Sequence, residues 1–240
     1  MKNINRIISV RSPKSPIAEA YRSIRTSIEF SNLDKELKVI NITSSAQNEG
    51  KSTVIANLAV SFANLDKKVL IMEGDLRNPS VHRMFNISNI EGITDILLGN
   101  KSFTECVHCT GVRNLHVLTC GAVPPNPSEM LSSKKIKEFV ESLRDYYDYV
   151  FIDAPPIGIV TDAGIISSYT DGCIFVVGSG EAEIEMAKVS KERLEKVGAN
   201  ILGVVLNKFE VNSHYNYYNY YNYYYEQDAK SRGRGRGKNK

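Results

Sequence analysis

The 240-residue sequence predicts an α/β fold, a mostly parallel central sheet with helices on both faces. Three observations predict it. Short apolar runs at residues 67–75, 149–153, 173–177 and 201–207 alternate with longer segments of helical periodicity. Several of these runs are apolar throughout, as strands buried on both faces require. Strand after strand stops at a polar or acidic residue, and in an open α/β sheet ligands bind beyond those carboxyl ends.

Residues 1–14 read as a polar, Pro-containing lead-in without regular structure. From Pro16, I-A-E-A-Y-R-S-I-R-T-S-I-E-F sets Ile17, Tyr21, Ile24 and Ile28 on one helical face. Glu19, Arg22 and Arg25 lie three apart on a neighbouring stripe. That stripe suits a solvated edge with a local ion pair, or a complementary acidic surface on another subunit; the sequence leaves both open. Residues 38–43 form a short strand, 52 to about 65 a helix, and 67–75 a buried strand ending in two carboxylates. Short helices are expected at 78–85 and 92–99, and a strand at 114–119. A Pro-rich loop, G-A-V-P-P-N-P-S-E-M-L, opens a helix from about 128 to 144. The strand Y-V-F-I-D (149–153) stops at an acid. A helix at 161–169, a strand at 173–177, a helix at 181–197 and a strand at 201–207 complete the domain, which spans residues 15–210.

After Asn207 the character changes. Eight of the thirteen tyrosines (Tyr215, Tyr217, Tyr218, Tyr220, Tyr221, Tyr223, Tyr224 and Tyr225) crowd into Y-N-Y-Y-N-Y-Y-N-Y-Y-Y, and R-G-R-G-R-G-K follows. With no apolar counterpart to bury them, residues 211–240 read as a flexible tail. The net charge of +3 is concentrated there, in Lys230, Arg232, Arg234, Arg236, Lys238 and Lys240; the remainder is mildly acidic. Simple solubility explains that basic end better than lipid or RNA binding, and no specific nucleic acid is expected. No apolar run approaches the ~18 residues of a membrane span. An apolar signal core is also missing from the N-terminus, so a cytoplasmic protein is expected. The four cysteines fit a reducing compartment. Cys106 and Cys109 bracket His108, with His116 and Cys120 nearby. A second pair at a metal-site spacing is missing, so these read as ordinary thiols.

The chemistry starts at residues 42–53, I-T-S-S-A-Q-N-E-G-K-S-T, between a strand and a helix. A strand, a tight loop ending in Gly-Lys-Ser and a helix make a phosphate-binding loop. Backbone N–H groups and the helix N-terminus face the phosphates. Lys51 supplies a cation for the β and γ oxygens, and Ser52 a hydroxyl for Mg²⁺. Ser45, Ala46, Gln47, Asn48, Glu49, Gly50 and Thr53 complete the loop. The first glycine of the usual pattern is Ser45 here, and Asn48 is the loop residue besides Gly50 that best tolerates a left-handed backbone. The strand ends Glu73-Gly74-Asp75 and Asp153 converge on the same edge. Mg²⁺ is held by one or two carboxylates, a hydroxyl and waters, a set that Ser52, Asp75 and Asp153 could supply.

These motifs resemble those of the bacterial tyrosine kinases of capsule and exopolysaccharide export, in the Gram-positive form whose kinase is a separate cytoplasmic subunit. The resemblance runs through E-A-Y-R-S-I-R, the phosphate loop, V-L-I-M-E-G-D-L-R-N-P, Y-V-F-I-D-A-P-P, G-A-V-P-P-N-P-S-E and the tyrosine cluster, nearly the whole chain. It implies a P-loop NTPase-like fold and ATP with Mg²⁺ as cofactors. Lys51 would grip phosphates, Ser52, Asp75 and Asp153 would hold the metal, and Arg77 would lie near the phosphates. Asn207 matches the position that contacts adenine. Glu19, Arg22 and Arg25 match the motif that joins subunits into a ring, in which one subunit's tail tyrosines are phosphorylated by its neighbour. It further implies a membrane-anchored activator with a cytoplasmic tail, recruitment to the inner face of the membrane, a cognate tyrosine phosphatase, and control of polymer export.

One departure concerns catalysis. The first acid of the second motif, which the resemblance assigns as the base for the tyrosine proton, is Glu73 where the family has Asp. One extra methylene displaces the carboxylate, and displacements of that order cost about 10²-fold in rate. A slow or partner-dependent kinase is therefore expected, with Glu73→Asp faster. Two rivals share parts of the pattern. A partitioning-type ATPase would carry a Lys where this chain has Ala46, and would lack the tyrosines. A nucleotide-binding scaffold with weak catalysis draws support from Glu73 alone.

Overall fold

A computed structural model describes residues 7–31 and 36–209. The chain divides into a unit spanning residues 1–208, which carries every described helix and strand, and a second spanning 209–240. The tyrosine cluster and the basic end lie outside the described residues.

In chain order the elements are α1 (Ile8–Arg11), α2 (Pro16–Ser31), β1 (Val39–Ser44), α3 (Lys51–Ala63), β2 (Val69–Glu73), α4 (Val81–Phe85), α5 (Ile93–Leu98) and α6 (Phe103–Cys106). They continue with β3 (Val107–Cys109), β4 (Leu115–Leu118), α7 (Pro127–Ser132), α8 (Lys134–Leu143), β5 (Tyr149–Asp153), α9 (Asp162–Ser167), β6 (Gly172–Gly178), α10 (Ile184–Lys196) and β7 (Ile201–Asn207). The sheet order is β3-β4-β2-β5-β1-β6-β7, parallel throughout except for the antiparallel pair β3–β4. This is a P-loop NTPase-like sheet with helices on both faces, as the motif pattern implies.

The period of two along each strand divides the core. Ile40, Ile42, Ile71 and Phe151 pack with α2 and α3, whereas Val39, Leu70, Met72, Val150 and Ile152 pack with α8 and α9. Helix α3 is buried along nearly its whole length, and its Phe62 meets Tyr149 at 4.2 Å and Phe151 at 5.5 Å between ring centroids. Aromatic pairs of this kind contribute about 0.5–1.5 kcal/mol beyond their burial. A phosphate-loop helix anchored this firmly keeps its N-terminus fixed against the sheet.

Three parts of the fold depart from the sequence reading. The lead-in is not wholly irregular: Ile7 is fully buried, α1 follows it, and Ser9 N donates to Asn57 Oδ1 of α3 at 2.9 Å. The helix expected from about 128 to 144 is two helices. Ser133 adopts an extended backbone (φ −64°, ψ 155°) and its hydroxyl accepts from Ile136 N, so one residue closes α7 and opens α8. The C-V-H-C stretch forms the end of α6 and the short edge strand β3, where Cys109 pairs in register with His116. Cys106 and Cys120 are buried and Cys109 is exposed. Among the described residues, no helix is long and apolar enough to cross a membrane.

Candidate active site

Strands β2, β5 and β1 are neighbours, which brings their carboxyl ends together. Glu73 pairs in register with Asp153, and Asp153 with Ile42. The phosphate loop leaves β1 beside them. Its geometry explains the missing first glycine. Ser45 needs no positive φ; its hydroxyl donates to Glu49 Oε1 at 2.7 Å, and Ala46 N donates to Glu49 Oε2 at 2.9 Å. The buried Glu49 thus braces the loop from inside. Left-handed backbone occurs at Asn48 (φ 64°) and Gly50 (φ 93°), the two residues singled out for it. A side chain at Gly158 would strike Ser45 O at 2.1 Å, so the loop after β5 closes directly onto the phosphate loop.

Gln47, Asn48, Gly50, Lys51, Ser52 and Thr53 line a cavity of about 430 Å³, with Asp75, Asn78, Ser80, Arg83, Met84, Asp153, Pro156 and Lys208 completing its wall. Asp153 is almost fully buried, and Ser52 Oγ donates to its Oδ2 at 2.6 Å. Its other oxygen, Oδ1, is buried without a hydrogen-bond partner. Burial lifts its pKa to about 6, against the pull of Lys51 and Ser52. A carboxylate held so deep, with one oxygen unpartnered beside a hydroxyl and an ammonium, has the donor chemistry for a hard divalent cation. Asp75 is half-buried on the cavity wall; burial raises its pKa, while the Asn78 N–H and Lys51 oppose the rise.

Glu73 sits differently. It is 1% exposed and does not line the cavity. Its Oε2 accepts from Ser80 N at 2.7 Å and Val81 N at 2.9 Å, and its Oε1 from Asp75 N at 3.2 Å. Burial and then the nearby Asp153 push its pKa well above the usual carboxylate range, against those N–H donors. The methylene that distinguishes it from Asp carries its carboxylate to the first N–H groups of α4. In this geometry Glu73 clamps the start of α4.

Arg77 also stands away from the position expected of it. Its Nε donates to Asp162 Oδ2 at 2.7 Å, and its terminal nitrogen to Asp162 Oδ1 at 3.2 Å and Ser128 Oγ at 2.7 Å. Asp162 is fully buried and Arg77 does not line the cavity. The arginine on that wall is Arg83 of α4, which the sequence reading missed. Its signal was only a basic residue within the short helix expected at 78–85. Asn207, at the end of β7, donates to Glu49 O at 2.9 Å and packs over Gly50, so it is seated against the loop.

The stripe on α2 lies apart from this cavity. Arg22 Nε donates to Glu19 Oε2 at 2.7 Å, and Arg22 also reaches Pro13 O at 2.7 Å. Arg25 donates to Ser61 O of α3 at 2.8 Å and its side chain is largely buried, fastening α2 to α3.

A β1 phosphate loop closing on two strand-end acids defines a P-loop NTPase. The family model described as ParA, NUBPL iron-transfer P-loop NTPase, matches residues 36–231. A tyrosine-protein kinase of Bacillus subtilis, YwqD, is 44% identical over 211 residues, 88% of this chain and 89% of that protein. The crystal structure of the chimerical protein CapA2B2 superposes with a TM-score of 0.83 at 41% identity, covering 85% of this chain and 90% of the other. The septum site-determining protein MinD of Pyrococcus horikoshii, complexed with Mg-ADP, matches less fully, with a TM-score of 0.62 at 26% identity over 74% of this chain and 72% of its own. The chain belongs to the bacterial tyrosine-protein kinases, within the ParA-type P-loop NTPases.

Proposed function

We propose that the chain is an ATP-dependent tyrosine autokinase that phosphorylates the tail of a neighbouring copy, at Tyr215, Tyr217, Tyr218, Tyr220, Tyr221, Tyr223, Tyr224 and Tyr225. The observation that carries this reading is the hydrogen bond from Ser52 to the buried Asp153 beside Lys51, in a chain whose terminal segment concentrates eight tyrosines. Lys51 and the loop N–H groups would hold the β and γ phosphates, and Ser52, Asp75 and Asp153 would hold Mg²⁺. The metal, when bound, neutralises charge on the phosphate oxygens and polarises the transferring group. Phosphoryl transfer proceeds through a loose transition state, so positioning and charge compensation matter more than a strong base. The Oδ1 of Asp75 accepts from Arg77 N and Asn78 N, so its Oδ2 would be the oxygen that serves the metal. Asn207, seated over the loop, would meet the adenine edge after exchanging its bond to Glu49 O.

The α2 stripe of Glu19, Arg22 and Arg25 would join copies into a ring, with Arg25 serving partly to fix α2 in place. The likeness to the CapA2B2 chimera supports a membrane-anchored activator that brings the kinase to the inner face of the membrane. Capsule or exopolysaccharide export would be the output, with a tyrosine phosphatase restoring the tail. A partitioning-type ATPase is the second reading, favoured by the MinD likeness and disfavoured by Ala46. Mass spectrometry after incubation with Mg-ATP and the activator's cytoplasmic tail separates them. Phosphotyrosine within residues 215–225 supports the kinase, and free phosphate without it supports the ATPase.

Each phosphotyrosine adds about −1.5 to −2 charges, so a modified cluster carries on the order of ten negative charges or more. Such tails repel one another and the acidic site. Sedimentation should therefore show a smaller assembly after Mg-ATP treatment; an unchanged mass would contradict this expectation.

A further inference from the structure

The cavity that holds Lys51 has a second arginine candidate, and the structure separates the two. Arg77 spends its guanidinium on the buried Asp162 and on Ser128. Arg83 lies on the wall of the same cavity as Lys51, Ser52, Asp75 and Asp153. Lys208, the other cation at that wall, is ion-paired with Glu181. Among the described residues no carboxylate lies within ion-pair distance of Arg83. Its one hydrogen bond there runs from a terminal nitrogen to Pro79 O at 2.8 Å, which leaves most of its five donors unspent.

Its placement is built in from below. The Glu73 carboxylate binds Ser80 N and Val81 N and so fixes where α4 starts. Val81 and Phe85, on the helix's other face, are buried in the core. Ser80 Oγ lies 2.8 Å from Ser52 Oγ, tying the start of α4 to the phosphate loop itself. The short helix is therefore held at both its start and its inner face, and Arg83 projects from a fixed support rather than a loose surface turn.

We propose that Arg83 is a second phosphate-binding side chain of the site beside Lys51, contacting the phosphoryl group that ATP carries before transfer and tyrosine carries after it. A planar guanidinium with free donors suits a phosphoryl oxygen pair, which Lys51 engages only as a point charge. The inference rests on the nucleotide reading of the cavity.

The test uses the full-length protein, wild type and Arg83→Met, which keeps the aliphatic stem, with Arg83→Lys as the charge-retaining variant. Binding of Mg-ADP and of a non-hydrolysable Mg-ATP analogue is measured by calorimetry. Inhibition by a tail peptide with one phosphotyrosine is compared with that by its unphosphorylated form. Arg83→Met should weaken the ATP analogue or the phosphopeptide by about tenfold, the worth of one charge-assisted hydrogen bond. ADP affinity should stay within about twofold, which also reports an intact fold, and Arg83→Lys should fall between. Loss confined to the ATP analogue assigns Arg83 to the donor; loss confined to the phosphopeptide assigns it to the acceptor. If neither changes, or if ADP weakens equally, Arg83 is not a phosphoryl contact. A wild type that binds neither nucleotide would overturn the nucleotide reading together with this inference.

Discussion

Asp153→Asn should lower the initial rate of tail phosphorylation by about 10³-fold or more, while the metal-free protein becomes at least as stable as wild type. Both halves come from one arrangement. Asp153 is buried, is bonded to Ser52 through one oxygen, and has its other oxygen unpartnered. Asn keeps the shape but removes the anion that would hold Mg²⁺ at the phosphates. In the metal-free protein that anion is costly. Its pKa rises from 3.8 unfolded to about 6 folded, chiefly through burial, so the folded state binds more protons between those values. Stability therefore falls as pH rises from about 4 to about 6, and the loss persists above it. Two units at ~1.4 kcal/mol each set an upper scale of roughly 3 kcal/mol. The raised Glu73 adds to the same trend. Thermal unfolding in chelator should show wild type gaining stability from pH 7.5 to pH 5, with Asp153→Asn gaining less. A variant with normal kinase activity, or one destabilised at pH 7.5, would contradict the assignment.

Glu73→Asp should slow the kinase by about tenfold to 10²-fold, the reverse of what the family's Asp at that position suggests. Shortening the side chain withdraws the carboxylate from Ser80 N and Val81 N, leaving a buried charge near Asp153 with fewer donors. Unsatisfied groups of this kind cost about 1–3 kcal/mol, and the start of α4 loosens with them. Arg83, Ser80 and Asn78 then lose their fixed distance from Lys51. Glu73→Gln separates the clamp from a base. Gln can accept both α4 N–H groups on its one carbonyl oxygen and adds no charge beside Asp153, losing only the long bond from Asp75 N at 3.2 Å, so it should retain most of the activity. A base at this position would require the opposite order, with Asp active and Gln dead.

The strands were legible because parallel strands buried on both faces are apolar throughout, as in V-L-I-M and Y-V-F-I. The loop from Ser45 to Thr53 and the acid at Asp153 were legible because their chemistry fixes both residue type and position. What sequence could not convey was depth and direction. Glu73 and Asp75 look alike in the chain, yet one is sealed beneath α4 and the other lines the cavity. Arg77 sits in a recognised motif but meets Asp162, a partner 85 residues away. Ile7 and β3 were missed because a single buried residue and a three-residue strand carry no periodicity.

Phosphoryl transfer from this cavity should reach the tyrosine cluster of another copy. Isotope-labelled Lys51→Met chain, unable to grip the phosphates, is mixed with unlabelled wild type, Mg-ATP and the activator's cytoplasmic tail. Phosphotyrosine is then mapped by mass. Phosphate should appear on labelled residues 215–225, dependent on the wild-type partner. Phosphate confined to the unlabelled chain would contradict transfer between copies, and its absence from both would contradict the kinase.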